Sequence, residues 1–492
     1  MYGSGCCDSA VEVFQGLRGE AETEIPTVVF INAPDVPRQE NNVKDGKKVP
    51  MRVTFFGHFG QGNFGNESTL QAILDHVRRF VPDAQLTCIT SGPEGTAATH
   101  GIEAIPIAEI LVKSWRPSNP LARLLRMLTI GIVSEPYRWV KGIITLSRTD
   151  MFIIPGTGLL TDAYGLLSWG PYNLFKWSLT AKLCRCKLLF VSVGAGPIYG
   201  VLARWFVKSA LSLADFRSYR DHSTVQYLNG IGFQTNNDRV YPDLVFSLPQ
   251  AVIPHHDTKK SRRPVIGLGL MYDAGRYSVP NPRNETYLAY LENLVKVVRW
   301  LIAQEYDVRL LIGDLWDMRV TQGFRLLLKE QLSAVDERHI IDEPVSSVEQ
   351  LLSQFAATDM VVATRFHNVL LALLCNKPVI AISFHHKCAS LMGAMGLSEY
   401  CLDMNTLNAD SLIEKIRDLE KNAGELKPLI TQKADEFRKA LDEQYKFIFQ
   451  RDVTCTTSTR RVRFGLLRAH GTMEEVQKHT TGGDDRLGVS QG

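Results

Sequence analysis

The chain lacks the features that mark metal, membrane and nucleic-acid proteins. Its nine cysteines (Cys6, Cys7, Cys88, Cys184, Cys186, Cys375, Cys388, Cys401 and Cys455) are scattered, and no CxxC pair occurs. Neither Cys6–Cys7 nor Cys184–Cys186 has zinc-site spacing, so no metal is expected. Several cysteines sit inside apolar runs such as LTCIT and LLALLCN. Buried, reduced thiols behave this way, and they point to a cytoplasmic setting rather than a disulfide scaffold. The start of the chain has no basic segment followed by an apolar core, so no signal peptide is expected. No run reaches the roughly 20 uncharged apolar residues that a membrane span needs. The nearest stretch, NPLARLLRMLTIGIVSEPYRWVKGIITLSR, is broken by Arg123, Arg126, Glu135, Arg138 and Lys141. As an amphipathic helix it can pack on its own domain or lie in a membrane interface. A net charge of +3 over 492 residues supplies no field for nucleic acid, and none is expected as a partner. One absence is local. Between Asp162 and Asp215 there is no acid, while Lys176, Lys182, Arg185, Lys187, Arg204 and Lys208 all fall there. Such a zone suits an anionic ligand, a membrane surface, or solvated basic faces.

What is present is a large globular chain. Hydrophobic residues make up 45% and charged residues 22%, ordinary values for a folded protein. The length allows two sizeable domains plus extensions. Residues 1–48 are polar and irregular, and 451–492 are similar, so both are expected to be loosely ordered. Between them, short apolar runs alternate with helix-length amphipathic segments. VPMRVTFFG, AQLTCIT, DMFIIPG, KLLFVSVG, FRSYR and DLVFS mark a first domain over 49–248. PQAVIPHHDTKKSRRP supplies a linker over 249–263. VIGLGL, DVRLLIG, HIID, DMVVAT and PVIAISF mark a second domain over 264–450, closed by a long charged helix. Apolar strands spaced by helices imply parallel sheets covered on both faces. The expected fold is α/β: two doubly wound, Rossmann-like domains facing a cleft, with ligands at the carboxyl ends of the strands.

The chemistry-bearing residues gather at those strand ends. FFGHFGQGNFGNES puts Gly60, Asn63, Asn66 and Glu67 in a Gly-rich strand-to-helix loop, without the dinucleotide fingerprint or a Walker lysine. PGTGLLTD and VGAGPI add Gly156, Thr157, Gly158, Gly194 and Gly196, and together these loops suggest a backbone-lined pocket. In SYRDHST, Arg220 follows a strand as a candidate anion clamp. Asp221 and Ser223 stand at a helix start, where capping competes with ligand binding. Asp243 in YPDLVFSL can orient a sugar hydroxyl or cap a turn. TRFHN carries the sharpest signal: Arg365 and His367 sit where a helix begins, and such a helix start attracts anions. An imidazole near its ordinary pKa can give or take a proton there. FHHK repeats the pattern on the next strand with His385, His386 and Lys387, although a solvated helix start explains His385 and Lys387 as well.

Taken in order, FFGHFGQGNFGNES, PGTGLL, VSVGAGPI, SYRDHST, YPDLVF and ATRFHNVLLALLCNKPVIAISFHHK resemble the polysaccharide pyruvyl transferase family over roughly residues 52 to 400. The resemblance implies a GT-B-like architecture and transfer of pyruvate from phosphoenolpyruvate to a saccharide. The product is a ketal on a surface polysaccharide or its precursor, and phosphate is released. It implies Arg220 and Arg365 as cations for the donor, His367 as general acid, and His386 or Lys387 as partner of the departing phosphate. Phosphoenolpyruvate is a co-substrate here, and no cofactor is implied. The acceptor is a saccharide, and a lipid-linked one would bring peripheral membrane contact with it. Relatives commonly carry Gly-Asp-Glu where this chain has Gly65-Asn66-Glu67, and Gly-Gly-Gly where it has Gly156-Thr157-Gly158. Asn66 cannot act as a carboxylate base, so any such role passes to Glu67 or is lost. Two other readings use the same fold: a nucleotide-sugar-dependent glycosyltransferase, and a non-catalytic saccharide-binding relative.

Overall fold

The computed structural model describes residues 50–108, 119, 121, 132–162, 170–254, 263–271, 283–332, 336–384 and 386–455. The expected extension 1–48, residues 255–262 of the linker, His385 and residues 456–492 lie outside the described residues.

Among the described residues the chain builds two sheets. The first contains β1 (Arg52–Gly57), β2 (Gln85–Thr90), β3 (Glu103–Pro106), β4 (Met151–Pro155), β5 (Lys187–Val193), β6 (Phe216–Tyr219) and β7 (Arg239–Val240). The second contains β8 (Val265–Gly269), β9 (Asp307–Leu311), β10 (Ile340–Ile341), β11 (Met360–Ala363), β12 (Val379–Ser383) and β13 (Cys401–Asp403). Their orders are β3-β2-β1-β4-β5-β6-β7 and β10-β9-β8-β11-β12-β13, with every pairing parallel. Strands such as MFIIP and VIGLG are buried throughout, because helices cover both faces of each sheet. Strand order reverses between β1 and β4 and again between β8 and β11, so each sheet opens a crevice there. The expected fold class holds.

Three differences from expectation have local causes. DLVFS is no strand: the Asp243 carboxylate accepts from Val245 N–H and turns Leu244–Ser247 into a short 3-10 helix. The strands EAIP and Cys401–Asp403 are sheet edges too short and mixed to carry a pattern. The closing helix runs from Ala409 to Cys455, past residue 450, and its end belongs to the first domain's packing. Tyr445 stacks on His76 with ring centroids 4.1 Å apart, and its hydroxyl lies 3.1 Å from Ser247 Oγ. Phe437 meets Phe246 edge-on at 5.0 Å. A helix that begins on one domain and ends on the other ties the two bodies together.

That helix also reaches the site. Register slips between Phe190 and Val193 of β5, where Ser192 adopts φ 50°. Its hydroxyl donates to the buried Gln444 of the closing helix, and its N–H donates to Ser218 Oγ at 2.8 Å. A left-handed non-glycine residue is costly, and these bonds hold it.

Candidate active site

The site is built where loops of both domains meet. Asn63 caps helix Phe64–Phe80 by accepting Asn66 N–H, and its amide also donates across the cleft to Asp314 at 2.8 Å. Phe64 N–H donates to Gly313 O and Leu315 N–H to Gly62 O, so the Gly-rich loop is stitched to the 313–317 loop. Gly60 has φ +72°, and a side chain there would strike the Gly92 carbonyl. The tight backbone serves loop packing. Glu67 serves the same loop: its buried carboxylate accepts from Gly60 N–H at 2.7 Å and meets His100 Nε2 at 3.1 Å. Of the two alternatives for the base role, transfer to Glu67 or loss, this geometry favours loss, because both Glu67 oxygens are engaged inside the first domain. Asn66 Nδ2 donates to the His58 carbonyl.

Arg220 follows β6 and is 9% exposed. Asp243 accepts from its Nη1 at 3.2 Å, and Asp221 lies 3.5 Å from Nε. Asp243 is 4% exposed, so it orients Arg220 rather than a sugar hydroxyl. Burial pushes its carboxyl up while Arg220 pulls it down. Asp221 caps helix His222–Gly230 through Thr224 N–H and accepts from Ser223 Oγ, which answers the open choice at SYRDHST in favour of capping. The Arg220 guanidinium lies 4.4 Å from the ring centroid of Phe366, a residue of the other domain.

In the second domain, β11 ends at Ala363, Thr364 follows it, and helix Phe366–Leu374 begins with Arg365 as its N-cap. The guanidinium of Arg365 is not a bare clamp. Its Nε and Nη2 both donate to Asp317, the latter at 2.6 Å, and Asp317 is 0% exposed. A buried carboxylate needs such a partner, so one task of this cation is internal. His367 is half-buried, and its Nε2 is shielded from solvent without a hydrogen-bond partner. Across the cleft, a Cβ on Gly65 would lie 2.0 Å from His367 Nδ1, so only glycine admits the ring. Gly65→Ala is expected to cost about 1–3 kcal/mol through overpacking and to displace the imidazole, read as a lowered melting temperature together with lost turnover.

Lys387 completes the group. It opens helix His386–Ala394 after β12, and its Nζ would lie 3.7 Å from a Cβ on Gly196. Arg220 Nε would lie 2.5 Å from a Cβ on Gly194. These two glycines let the backbone of the VGAGPI loop approach the two cations. Among the described residues Lys387 has no hydrogen-bond partner. Its pKa falls to about 8, mainly by desolvation and then by Arg220. His367 falls to about 3 by burial, followed by the charges of Arg220, Arg365 and Lys387. The expectation of an imidazole near its ordinary pKa is thus corrected: in the free protein it is neutral at physiological pH. The exposed His386 sits beside Lys387 at the rim.

The remaining predicted residues separate into two groups. Gly156 packs on the Ser192 carbonyl, whereas Gly158 has open space around its Cα. Thr157 is buried with an unpartnered hydroxyl. Phe366, Asn368 and Asp317 were not singled out from sequence. Asn368 is fully buried, with neither amide atom paired. TRFHN contained Phe366 and Asn368 in plain view, but apolar and amide residues at a helix start carry no distinct signal.

Two parallel, doubly wound sheets meeting over a cleft, with a final helix returning to the first domain, define a GT-B-type protein. Solved structures agree. A putative UDP-N-acetylglucosamine 2-epimerase from Listeria monocytogenes aligns at TM-score 0.53 and 11% identity, covering 84% of this chain and 98% of that one. The S. aureus MnaA–UDP structure aligns at 0.51 and 11% identity, with 83% and 99% covered. Within that class the family follows from sequence: the pattern of the polysaccharide pyruvyl transferases matches residues 63–386, and the chain belongs to that family. The amylovoran biosynthesis protein AmsJ of Erwinia amylovora is 20% identical over 430 residues, covering 79% of this chain and 96% of AmsJ.

Proposed function

We propose that this protein transfers pyruvate from phosphoenolpyruvate to two hydroxyls of a saccharide, forming a ketal and releasing phosphate. The observation that carries the reading is the meeting of Arg220 and Lys387 around His367: Arg220 and His367 lie inside the segment 63–386 that matches the family, and Lys387 directly follows it. A small three-carbon anion with a carboxylate and a phosphate needs several fixed cations in little space. Arg220 is braced by Asp243 and Asp221 and Arg365 by Asp317, whereas among the described residues Lys387 has no carboxylate in ion-pair contact.

Burial first, and the neighbouring cations second, hold His367 neutral; the donor's negative charge offsets the second cause and shifts the imidazole toward its protonated form. It then delivers a proton to the methylene carbon of phosphoenolpyruvate, leaving an oxocarbenium-like C2. One sugar hydroxyl attacks C2, forming the first C–O bond. A second hydroxyl displaces phosphate, forming the second C–O bond as the C2–O bond to phosphate breaks. Of the two hydroxyl protons, one replaces that given by His367 and one leaves on phosphate. Lys387 and Arg220 stabilise the departing charge.

Incubation with phosphoenolpyruvate and candidate glycans, free or lipid-linked, should release inorganic phosphate and add a carboxyethylidene group detectable by mass. His367→Ala should cut release by about a hundredfold or more, with the melting temperature retained. Arg365→Ala is a poorer probe, since a stranded Asp317 would unfold the site whatever binds there. Release undiminished in His367→Ala would overturn this assignment. Stabilisation by UDP but not by phosphoenolpyruvate would replace it with the nucleotide-sugar reading, which the fold permits.

A further inference from the structure

We propose that the outer face of helices Ile132–Leu146 and Val201–Ser212 is a docking surface for an anionic lipid bilayer, which goes beyond the donor chemistry above. These two helices and Gly170–Leu183 form one layer on the first sheet. Their inner residues Leu146, Trp177 and Val207 share a single core with Phe56, Phe152 and Phe190. The outward side of the layer is unusually apolar. Val140 is 55% exposed, Ile144 56%, Leu183 64%, Val201 82%, Leu202 65% and Trp205 52%. Single exposed apolar residues need no explanation, but a set concentrated on one layer does. A groove of about 420 Å³ runs along it, bounded by Phe175, Leu179, Trp205 and Leu213, with Lys208 at its edge.

Charge selects the occupant. No acid occurs between Asp162 and Asp215. Glu135, the acid of helix Ile132–Leu146, is already paired with Arg138 and Lys176, and Asp215 with Lys182. Lys141, Arg148, Arg185 and Arg204 are exposed around the apolar residues. A second copy of this chain would bring the same positive face against itself. An anionic membrane surface satisfies both features: headgroups meet the cations, while Val201, Leu202 and Trp205 enter the acyl boundary. Among the described residues no helix is long and apolar enough to cross a membrane, so the contact is one of lying on the surface. Val201 directly follows the loop from Gly194 to Gly200, in which Gly194 borders Arg220 and Gly196 borders Lys387, while Gly200 N–H is held by the buried Asp162. A bilayer on this face therefore lies next to the rim of the cleft, where a saccharide carried on a lipid would be presented.

The test is flotation of the full chain with vesicles of phosphatidylcholine, with or without about a third phosphatidylglycerol. The wild type should float with the anionic vesicles, less so at high salt, and remain largely unbound with neutral ones. Leu202→Ser/Trp205→Ser, and separately Val140→Ser/Ile144→Ser, should lower partition at least roughly tenfold with unchanged melting temperature. Having two pairs on separate helices keeps the result readable if one pair unfolds. Equal flotation of both variants, or no binding of the wild type, would overturn the proposal. So would a dimer in light scattering that either variant dissolves without any vesicle binding, since the covering surface would then be a second copy. Vesicle binding is measured without substrate, so its failure and the failure of pyruvyl transfer are told apart.

Discussion

Arg220→Ala is expected to lower phosphate release from phosphoenolpyruvate by about a hundred- to a thousandfold, the range typical of losing one preorganised charged donor. Arg220 is held from three sides: by Asp243 at 3.2 Å, by Asp221 at 3.5 Å, and by the Phe366 ring at 4.4 Å. Its position is fixed before the donor arrives, so little ordering remains to oppose binding. Arg220→Lys should fare little better, because an ammonium offers neither the planar fork nor the stacking face. The complication is stability. Removing Arg220 strands Asp243, whose carboxyl burial already pushes up. Arg220→Ala/Asp243→Asn separates the two effects. Asparagine keeps an oxygen for the Val245 N–H that Asp243 now caps, so the melting temperature should recover. Turnover should not. If phosphate release recovers together with the melting temperature, Arg220 has only a structural task and the convergence across the cleft is not the donor site.

The strands were legible because parallel strands buried on both faces are continuous apolar runs, as in MFIIP and VIGLG, and the helices between them are amphipathic. The site was legible as positions but not as partnerships. Arg220, His367 and Lys387 could be seen at strand ends, since a charge there has no packing reason. Nothing local reveals that Arg365 is claimed by Asp317, which lies on a different strand-end loop. The same limit hid the pairing of Glu67 with His100, and the use of Asp243 as a brace for Arg220. The closing helix shows the limit at larger scale: its amphipathic pattern announces a helix, but not that Tyr445 and Phe437 turn their faces to the other domain. Gly65 is the sharpest case. A helix-start glycine reads as part of a flexible loop, and its reason is a ring from the facing domain.

Affinity for phosphoenolpyruvate is expected to fall as pH rises past about 8, by up to about tenfold per pH unit, because Lys387 must be charged to meet the donor. The free protein holds this ammonium at a depressed pKa by desolvation and by Arg220, and a bound anion favours the charged form. Binding therefore takes up a proton above that pH, and the slope ends where the pKa in the complex is reached. The phosphate of the donor completes its second ionisation near pH 6, so it contributes no slope in this window. Lys387→Met should remove the part of the slope that begins near pH 8 and weaken binding at neutral pH, whereas His367→Gln should remove proton uptake at lower pH and leave the alkaline slope in place. Titration calorimetry across this range, in buffers of differing ionisation enthalpy, reads both the affinity and the proton count. Stability of the ligand-free protein moves with the opposite sign. Between about 8 and the ordinary lysine value of 10.5 the unfolded chain binds the proton and the folded one does not, so folding strengthens as pH rises. Lys387→Met should abolish that gain too. An alkaline loss of affinity that survives in Lys387→Met would assign it to another group, and would remove Lys387 from the donor site.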